Sequence, residues 1–517
     1  MPDPAEPAWR ALWRRLWAEP PEGRGTWLTR FYLLRLLGLI YAMAFATWVF
    51  QGPGLCGSRG LLPAAVYLDN IALNLGGRWA GFWEVPSVFW LADGDGFLFG
   101  MGWLGLGLSL VVLAGFANAI LLLVLWALHL SITNVGQTFY AFGWEMQLLE
   151  TGMLGVFLCP LLDPRPFPGR PVPLPIIWLC RWLIVRIMLG AGLIKLRGDA
   201  CWRDLTCLSF HFETQPVPSP LSPLFHALPA WALKLGVAFN HFVELVVPYF
   251  VFAPRRIRHV AGFLLFSLQA TLIASGNLSY LNWLTLVPIL ACFDDGFWVR
   301  LSPRRLLAAA QAARQRAHPA RAQRIATTLF FGLVVFLSID PVVNLFSSRQ
   351  AMNRSFGRLQ LVNTYGAFGS VGRERYEIEL EATLAPTPDE QADWRPYLWK
   401  CKPGDPARRP CWMSPYHYRL DWLIWFAAMG EPGAYPWSVH LVARLLAAEP
   451  LVLDLLEAAP FGEKAPTFVR AVYYRYRLQP PGAPTWWKRE RVGLWLPPLS
   501  REDPRLRDFL EAHGWAP

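Results

Sequence analysis

The chain has 517 residues, room for two or three domains, and 54% of them are hydrophobic, a share typical of membrane proteins. Its formal net charge of +11 comes with no nucleic-acid-binding motif, so no nucleic-acid partner is expected. The basic residues instead cluster in the gaps between apolar runs, where positive charge orients a protein in a bilayer.

In chain order, residues 1–30 form a basic amphipathic segment. The first apolar run, from about residue 31, is too long for the core of a cleaved signal and lacks a small-residue cleavage site, so it is expected to stay as an anchor. Apolar segments predict about nine spans, near 31–50, 97–115, 117–136, 144–162, 175–196, 231–253, 259–276, 278–294 and 325–343. The second and third suit a tight hairpin around Phe116, and the eighth, interrupted by Pro288, suits a tilted or broken helix. Within residues 51–95 the segment LLPAAVYL is expected along the membrane surface. Residues 296–324, rich in alanine and arginine, read as an amphipathic helix on an anionic leaflet.

The basic gaps alternate. One precedes the first span (Arg10, Arg14, Arg15, Arg24, Arg30), and the others hold Arg165 and Arg170, then Arg255, Arg256 and Arg258, then Arg300 through Arg324. If every segment spans, all four lie on one side, which the positive-inside rule makes cytoplasmic. An odd number of spans then exports residues 344–517. The expected architecture is a polytopic α-helical bundle over 31–343 and an exported, strand-rich α+β domain resembling a β-sandwich.

In that last part YEIELEAT, TFVRAVYYRYRL and RVGLWLP alternate apolar and polar residues as half-buried strands do. WSVHLVARLLAAEPLVLDLLEAAP reads as two short helices broken at Pro450, and DPRLRDFLEAHG as a capped closing helix. The aromatic run YHYRLDWLIWFAAM, with Tyr416, His417, Tyr418, Trp422 and Trp425, is a candidate client-binding surface or equally the domain's own core. Cys401 and Cys411 lie in this domain, and Cys201 and Cys207 lie in an outer loop. Each pair is spaced to close a short loop in an oxidising compartment, or to remain as free thiols.

Ionisable groups inside apolar segments mark functional or cross-linking positions. They are Glu145 and Glu150 in the fourth span, Arg181 and Arg186 in the fifth, and Asn240, His241 and Glu244 in the sixth. Their complementary signs suit an intramembrane polar network. Lys195, at the outer end of the fifth span, is either a cationic anchor or, with His241 and Glu244 assisting, a catalytic base. His241 and Glu244 share a helix face but find no second half-site, so no metal is expected, and nothing calls for a cofactor. Phosphate loops, nucleophile elbows and H-E-x-x-H motifs are missing from the sequence.

The runs NVGQTFYAFGWEMQLLETG, GAGLIKLRGDACWRDLTCLSFHFETQPVPSPLS, FNHFVELVVPYF, ASGNLSYLNWLTLVPILACFDD, LVNTYGAFGSVGRERYEIELE and CKPGDPARRPCWMSPYHYRLDWLIWFAA resemble the lipase maturation factor family over about residues 28–478. The resemblance implies a multi-span protein of the endoplasmic reticulum that helps secreted homodimeric lipases fold and assemble, with the outer loop and carboxyl-terminal domain facing the client. The partners implied are membrane lipid and a secreted, lipase-like client. The arginine-, alanine- and proline-heavy composition resembles that of a GC-rich bacterium, whose corresponding membrane is the cytoplasmic one. The first half is also similar to the horizontally transferred transmembrane domain shared with vitamin K-dependent carboxylases, in which a lysine matching Lys195 of GLIKL is catalytic. That similarity implies the alternative, an integral-membrane enzyme acting on a lipid-soluble substrate.

Overall fold

The computed structural model describes residues 25–515. Most of the expected amino-terminal segment, with Arg10, Arg14, Arg15 and Arg24, lies outside the described residues. Each apolar segment is helical: α1 (Trp27–Cys56), α2 (Asp95–Ala114), α3 (Ala119–Val135), α4 (Gly143–Leu158), α5 (Leu174–Arg197), α6 (Ala230–Leu245), α7 (Arg255–Ser275), α8 (Leu281–Ile289) and α9 (Arg321–Leu337). Five are long and apolar enough to cross a membrane: α1, α2, α5, α7, and α9 with its continuation to Phe346. The nine expected segments thus comprise five long helices and four shorter ones. Prolines account for two of the short ones. Pro248 falls where α6 gives way to a 3-10 turn over Val247–Phe252, and Pro288 sits in the last turn of α8 before a 3-10 turn ending at Cys292.

α1 and α5 form the centre of the bundle, with 72% and 83% of their most apolar stretch buried, against 28% for α2, α7 and α9, which face outward. α1 and α2 approach closely because glycines leave room. A Cβ at Gly105 would stand 2.4 Å from Phe45, and one at Gly102 would stand 2.5 Å from Trp48. α2 turns into α3 at Gly115, whose φ of +127° an L side chain rarely adopts, and the Asn118 side chain caps α3 by accepting the Leu121 amide at 2.8 Å.

The basic gaps converge at one end of the bundle. Arg30 Nη1 donates to the Arg170 carbonyl at 3.1 Å, and Arg170 Nη1 donates to the His318 carbonyl at 2.9 Å. Asp294 accepts from Arg255 at 2.8 Å and Arg258 at 3.3 Å, and Asp295 accepts the first amides of α1, Trp27 and Leu28, at 3.2 and 2.8 Å. The helix within 296–324 spans Arg304–Gln315. Its apolar side, Ala310 and Ala313, packs on Trp27, Leu28 and Phe167, so that face covers protein and not a leaflet.

Everything after Phe346 gathers at the opposite end. A two-residue ribbon, β1 (Arg354–Ser355) with β2 (Asn363–Thr364), precedes a four-stranded antiparallel sheet of order β4 (Arg395–Pro396), β3 (Arg375–Thr383), β5 (Phe468–Leu478), β6 (Trp487–Leu499). The three long strands fall where alternation predicts them. Among the described residues no second sheet covers the first, so the sandwich does not form. Helices α10 (Arg419–Ala427) and α11 (Pro436–Leu446) pack on the face carrying Ile378, Leu380 and Val469, and the loop between Cys401 and Cys411 lies over the face carrying Glu377 and Glu379. Helix α12 (Pro504–Ala512) closes the fold, capped by Asp503. In LLPAAVYL, Leu61, Ala64 and Leu68 are fully buried, and the Leu61 carbonyl meets His440 Nδ1 of α11 at 2.6 Å.

Candidate functional site

The sheet unit is fastened to the bundle by buried polar junctions at the ends of α1, α4, α5 and α7. Glu145, in the first turn of α4, is the hub of one. Its carboxylate accepts from Arg419 Nη2 at 2.7 Å, Tyr280 OH at 2.5 Å and Trp144 Nε1 at 2.9 Å, and it lies 3.3 Å from His129 Nε2. Arg419 spends its other arm on the Phe139 carbonyl at 2.7 Å and lies 3.5 Å above the Tyr140 ring. Gln51 of α1 completes the seam, accepting the Arg419 amide at 2.9 Å and donating to the His417 carbonyl at 2.7 Å and Tyr416 OH at 2.9 Å.

One turn along α4, Glu150 pairs with Arg186 of α5 and accepts Tyr365 OH at 2.7 Å and the Asn363 amide at 3.1 Å. Arg186 also donates to the Asn363 carbonyl at 2.7 Å. At the end of α7, Asn277 takes the Met413 amide at 3.0 Å and gives to the Cys411 carbonyl at 2.9 Å. Charges this deep are held by pairing and by multiple hydrogen bonds.

Not every residue expected in the intramembrane network belongs to it. Glu150 and Arg186 meet across helices, and Glu145 links His129 and Tyr280 of the bundle to Arg419 of the carboxyl-terminal part. Among the described residues Arg181 donates to the Ala291 carbonyl at 2.9 Å and forms no ion pair, and Asn240, half-exposed on α6, makes no side-chain hydrogen bond. Lys195, with 5% of its surface exposed, lies 2.5 Å from Glu244 and 5.2 Å from the centre of the Trp202 ring. It does not reach outward to water as an anchor would, and its ammonium cross-links α5 to α6. His241 diverges from that pair, its Nε2 lying 3.0 Å from the Trp202 carbonyl. No group of three or more His, Cys, Asp or Glu able to hold a metal occurs among the described residues.

Of the two readings of the aromatic run, client surface or core, the structure shows it turned inward. His417 and Trp422 are buried, and both stack edge-on against Trp144 of the bundle, with centroids 5.4 and 5.2 Å away. Tyr416 and Tyr418 are half-buried, and Trp425 Nε1 donates to the Thr214 carbonyl at 3.1 Å. Burying these rings against the bundle removes more apolar surface from water than leaving them as an open patch. Arg419, the key residue of the seam, went unpredicted. Its signal is its position, an arginine opening the apolar helix RLDWLIWFA.

The structure joins Cys201 to Cys207 and Cys401 to Cys411, with Cα atoms 4.7 and 5.4 Å apart. Asp421 of α10 accepts the amides of Cys401 at 2.6 Å and Lys402 at 2.9 Å, so the second loop is held at its start by a buried carboxylate. Its Lys402 reaches under the sheet to Glu377 at 2.8 Å and Glu379 at 3.7 Å. Burial pushes the Glu379 carboxyl up to about 7, against the pull of Lys402 and with the help of Glu377.

Residues 28–300 match the family model described as lipase maturation factor transmembrane domain, and residues 361–497 match the lipase maturation factor C-terminal domain. The chain is 48% identical to lipase maturation factor 1 of Bos taurus, over 95% of this chain and 91% of that one. It is 46% identical to lipase maturation factor 1 of Homo sapiens, over 95% and 90%. Lipase maturation factor 2 of Homo sapiens is 30% identical over 95% and 85%. No solved structure matches the chain.

Proposed function

The chain belongs to the lipase maturation factor family, and on that premise we propose that it is a membrane-anchored folding factor whose bundle holds the sheet unit at the exported face, where secreted lipases assemble. The observation that carries this reading is the position of the sheet unit. It sits at the end of the bundle opposite the converging basic gaps, locked there by Glu145–Arg419 and by Glu150 with Asn363 and Tyr365. With the basic end cytoplasmic, the unit faces the compartment in which secreted chains fold and disulfides persist. Half-folded clients expose apolar surface and unpaired strand edges, and a factor fixed to the membrane meets them as they emerge.

The test is rescue. A homodimeric secreted lipase is expressed in cells lacking their own maturation factor, with and without this full-length protein, and active dimer is measured in the medium. Active lipase should rise with the wild-type chain. A normally abundant, membrane-inserted chain that leaves secretion of active lipase unchanged would refute the reading. The enzymatic alternative is not favoured, because Lys195 is committed to Glu244.

A further inference from the structure

Between α1 and α2 the chain folds into a helical hairpin, Ala64–Leu75 and Arg78–Glu84, and returns through a 3-10 turn over Val88–Trp90. The level of that turn is set by α2 and α3, which rise from one connection at Gly115. At about 1.5 Å per residue α2 climbs about 30 Å to Asp95, the thickness of a bilayer's hydrocarbon core, whereas Ser131 stands only about 18 Å above Ala119. The Val88 amide donates to Ser131 Oγ at 2.8 Å, and Asn134 Nδ2 donates to the Pro86 carbonyl at 2.8 Å. Phe89 agrees, its ring centroid 6.2 Å from that of Trp48, whose Nε1 donates to the Leu98 carbonyl inside α2. The turn therefore lies within the apolar slab and not above it, with side chains of α3 satisfying its backbone as that depth demands.

The second helix of the hairpin rests on this turn. A Cβ at Gly81 would stand 2.4 Å from the Trp90 ring, and Arg78 Nη2 donates to the Trp90 carbonyl at 2.9 Å. The same helix carries Trp79 and Trp83, edge to face at 5.6 Å, 71% and 55% exposed. Leu73, near the end of the first helix, is 80% exposed, and Leu91, just after the turn, 83%. Beyond Leu91 the chain enters α2, whose outward face continues the exposed apolar surface with Trp103 and Leu104. The charged residues of 64–94 are engaged. Arg78 meets Asp93 at 3.1 Å and Asp69 at 3.9 Å, and Glu84 meets Arg358 of the carboxyl-terminal part at 2.7 Å.

Large exposed apolar side chains at this depth, beside helices that face outward, call for lipid and not for water. Indoles favour the headgroup boundary, and pairing suits charges held close to it. We propose that residues 69–91 form a re-entrant hairpin seated in the exported leaflet, with Leu73 and Leu91 among the upper acyl chains of its phospholipid and Trp79 and Trp83 at the headgroup boundary. A soluble partner is disfavoured, because at this depth phospholipid already fills the space beside the bundle. Resting on the membrane-anchored reading, the hairpin gives the sheet unit a second hold on the bilayer, since Glu84 with Arg358 and the Leu61 carbonyl with His440 tie it to the carboxyl-terminal part.

The test uses the full chain in phosphatidylcholine liposomes. Cysteines are placed singly at Leu73, Leu104 and Arg501 and labelled with a nitrobenzoxadiazole dye. The four free cysteines are buried, and the unsubstituted chain sets the background. Quenching is read with lipids carrying a doxyl group near the headgroup or near the chain end. Leu104→Cys, on the outward face of α2, reports the bundle, and Arg501→Cys, exposed beyond the last strand, reports water. The Leu73→Cys label should be quenched at least about half as strongly as the Leu104→Cys label, and more by the shallow doxyl than by the deep one. Trp79→Asp with Trp83→Asp should lift the hairpin out and cut quenching of the Leu73→Cys label at least about threefold, leaving Leu104→Cys unchanged. A Leu73→Cys label no more quenched than Arg501→Cys, beside a quenched Leu104→Cys, overturns the hairpin alone, as does quenching that the double substitution fails to reduce. A Leu73→Cys label untouched by lipid that responds only to added secreted lipase overturns it too, and makes the surface a client site. Absence of quenching at Leu104→Cys as well sinks the membrane-anchored reading with it.

Discussion

Arg419 Nη2 lies 2.7 Å from Glu145 Oε1, and neither side chain exposes any surface. The two residues are 274 positions apart and belong to the two halves that the family models match separately. Removing one partner of such a pair leaves a buried charge alone. Arg419→Ala or Glu145→Ala should each destabilise the protein by about 3–5 kcal/mol, read by thermal unfolding in detergent. Glu145→Ala combined with Arg419→Ala should cost less than the sum of the two single changes, because no lone charge remains. Strict additivity would show that the seam does not couple the halves.

The arrangement of the basic gaps makes a topological prediction. With Arg170, Arg255 and Arg258 at one end and the sheet at the other, a reporter fused after Pro517 should be active only in the exported compartment, and a cysteine placed at Arg316 should be labelled only from the cytoplasm. Activity of the carboxyl-terminal reporter in the cytoplasm would reverse the orientation.

Much of this was legible in the sequence, for local reasons. β3, β5 and β6 fall where alternation marks them, and the opposite signs of Glu150 and Arg186 signalled a cross-helix pair. The seam was less visible. Nothing near Arg419 names Glu145 as its partner, and Glu145 itself reads as one more intramembrane acid. Glu377 and Glu379 alternate with apolar residues, a pattern that normally marks a solvated face. In the structure a loop brings Lys402 beneath them, so a polar face is buried without a second sheet. The aromatics near Trp422 posed the converse problem, since an apolar surface looks the same whether it awaits a client or a neighbouring helix.

The Cys401–Cys411 bridge should survive purification. Alkylation without reductant should leave both thiols unlabelled, and quantitative labelling of folded protein would disprove the bridge. Replacing both by serine should cost about 2–4 kcal/mol, toward the lower end because Asp421 already pins the Cys401 and Lys402 amides.

Glu379 predicts a pH dependence for the sheet unit. Burial raises its carboxyl from an ordinary 4.5 to about 7, so the folded state binds a proton the unfolded state has lost. Its contribution to stability is complete below pH 4.5 and is lost as pH rises through about 7, on the order of 3 kcal/mol across the window. Glu379→Gln should flatten that slope, measured by unfolding at pH 5, 6, 7 and 8. A wild-type slope unaffected by the substitution would place the titration elsewhere.

Lys195 separates a cross-link from a catalyst. Lys195→Arg keeps a cation within reach of Glu244 and should leave lipase rescue nearly intact, because pairing needs only charge and length. Lys195→Met should lower abundance and rescue together, since it strands the Glu244 carboxylate in a buried site. Adding Glu244→Gln to Lys195→Met should then recover much of the lost abundance, as removing both charges leaves neither unpaired. A catalytic lysine predicts a different pattern. A guanidinium stays protonated at any working pH and cannot serve as a base, so Lys195→Arg would be abundant, folded and inactive, and the double substitution would restore abundance without activity. That pattern would overturn the structural role assigned to the pair.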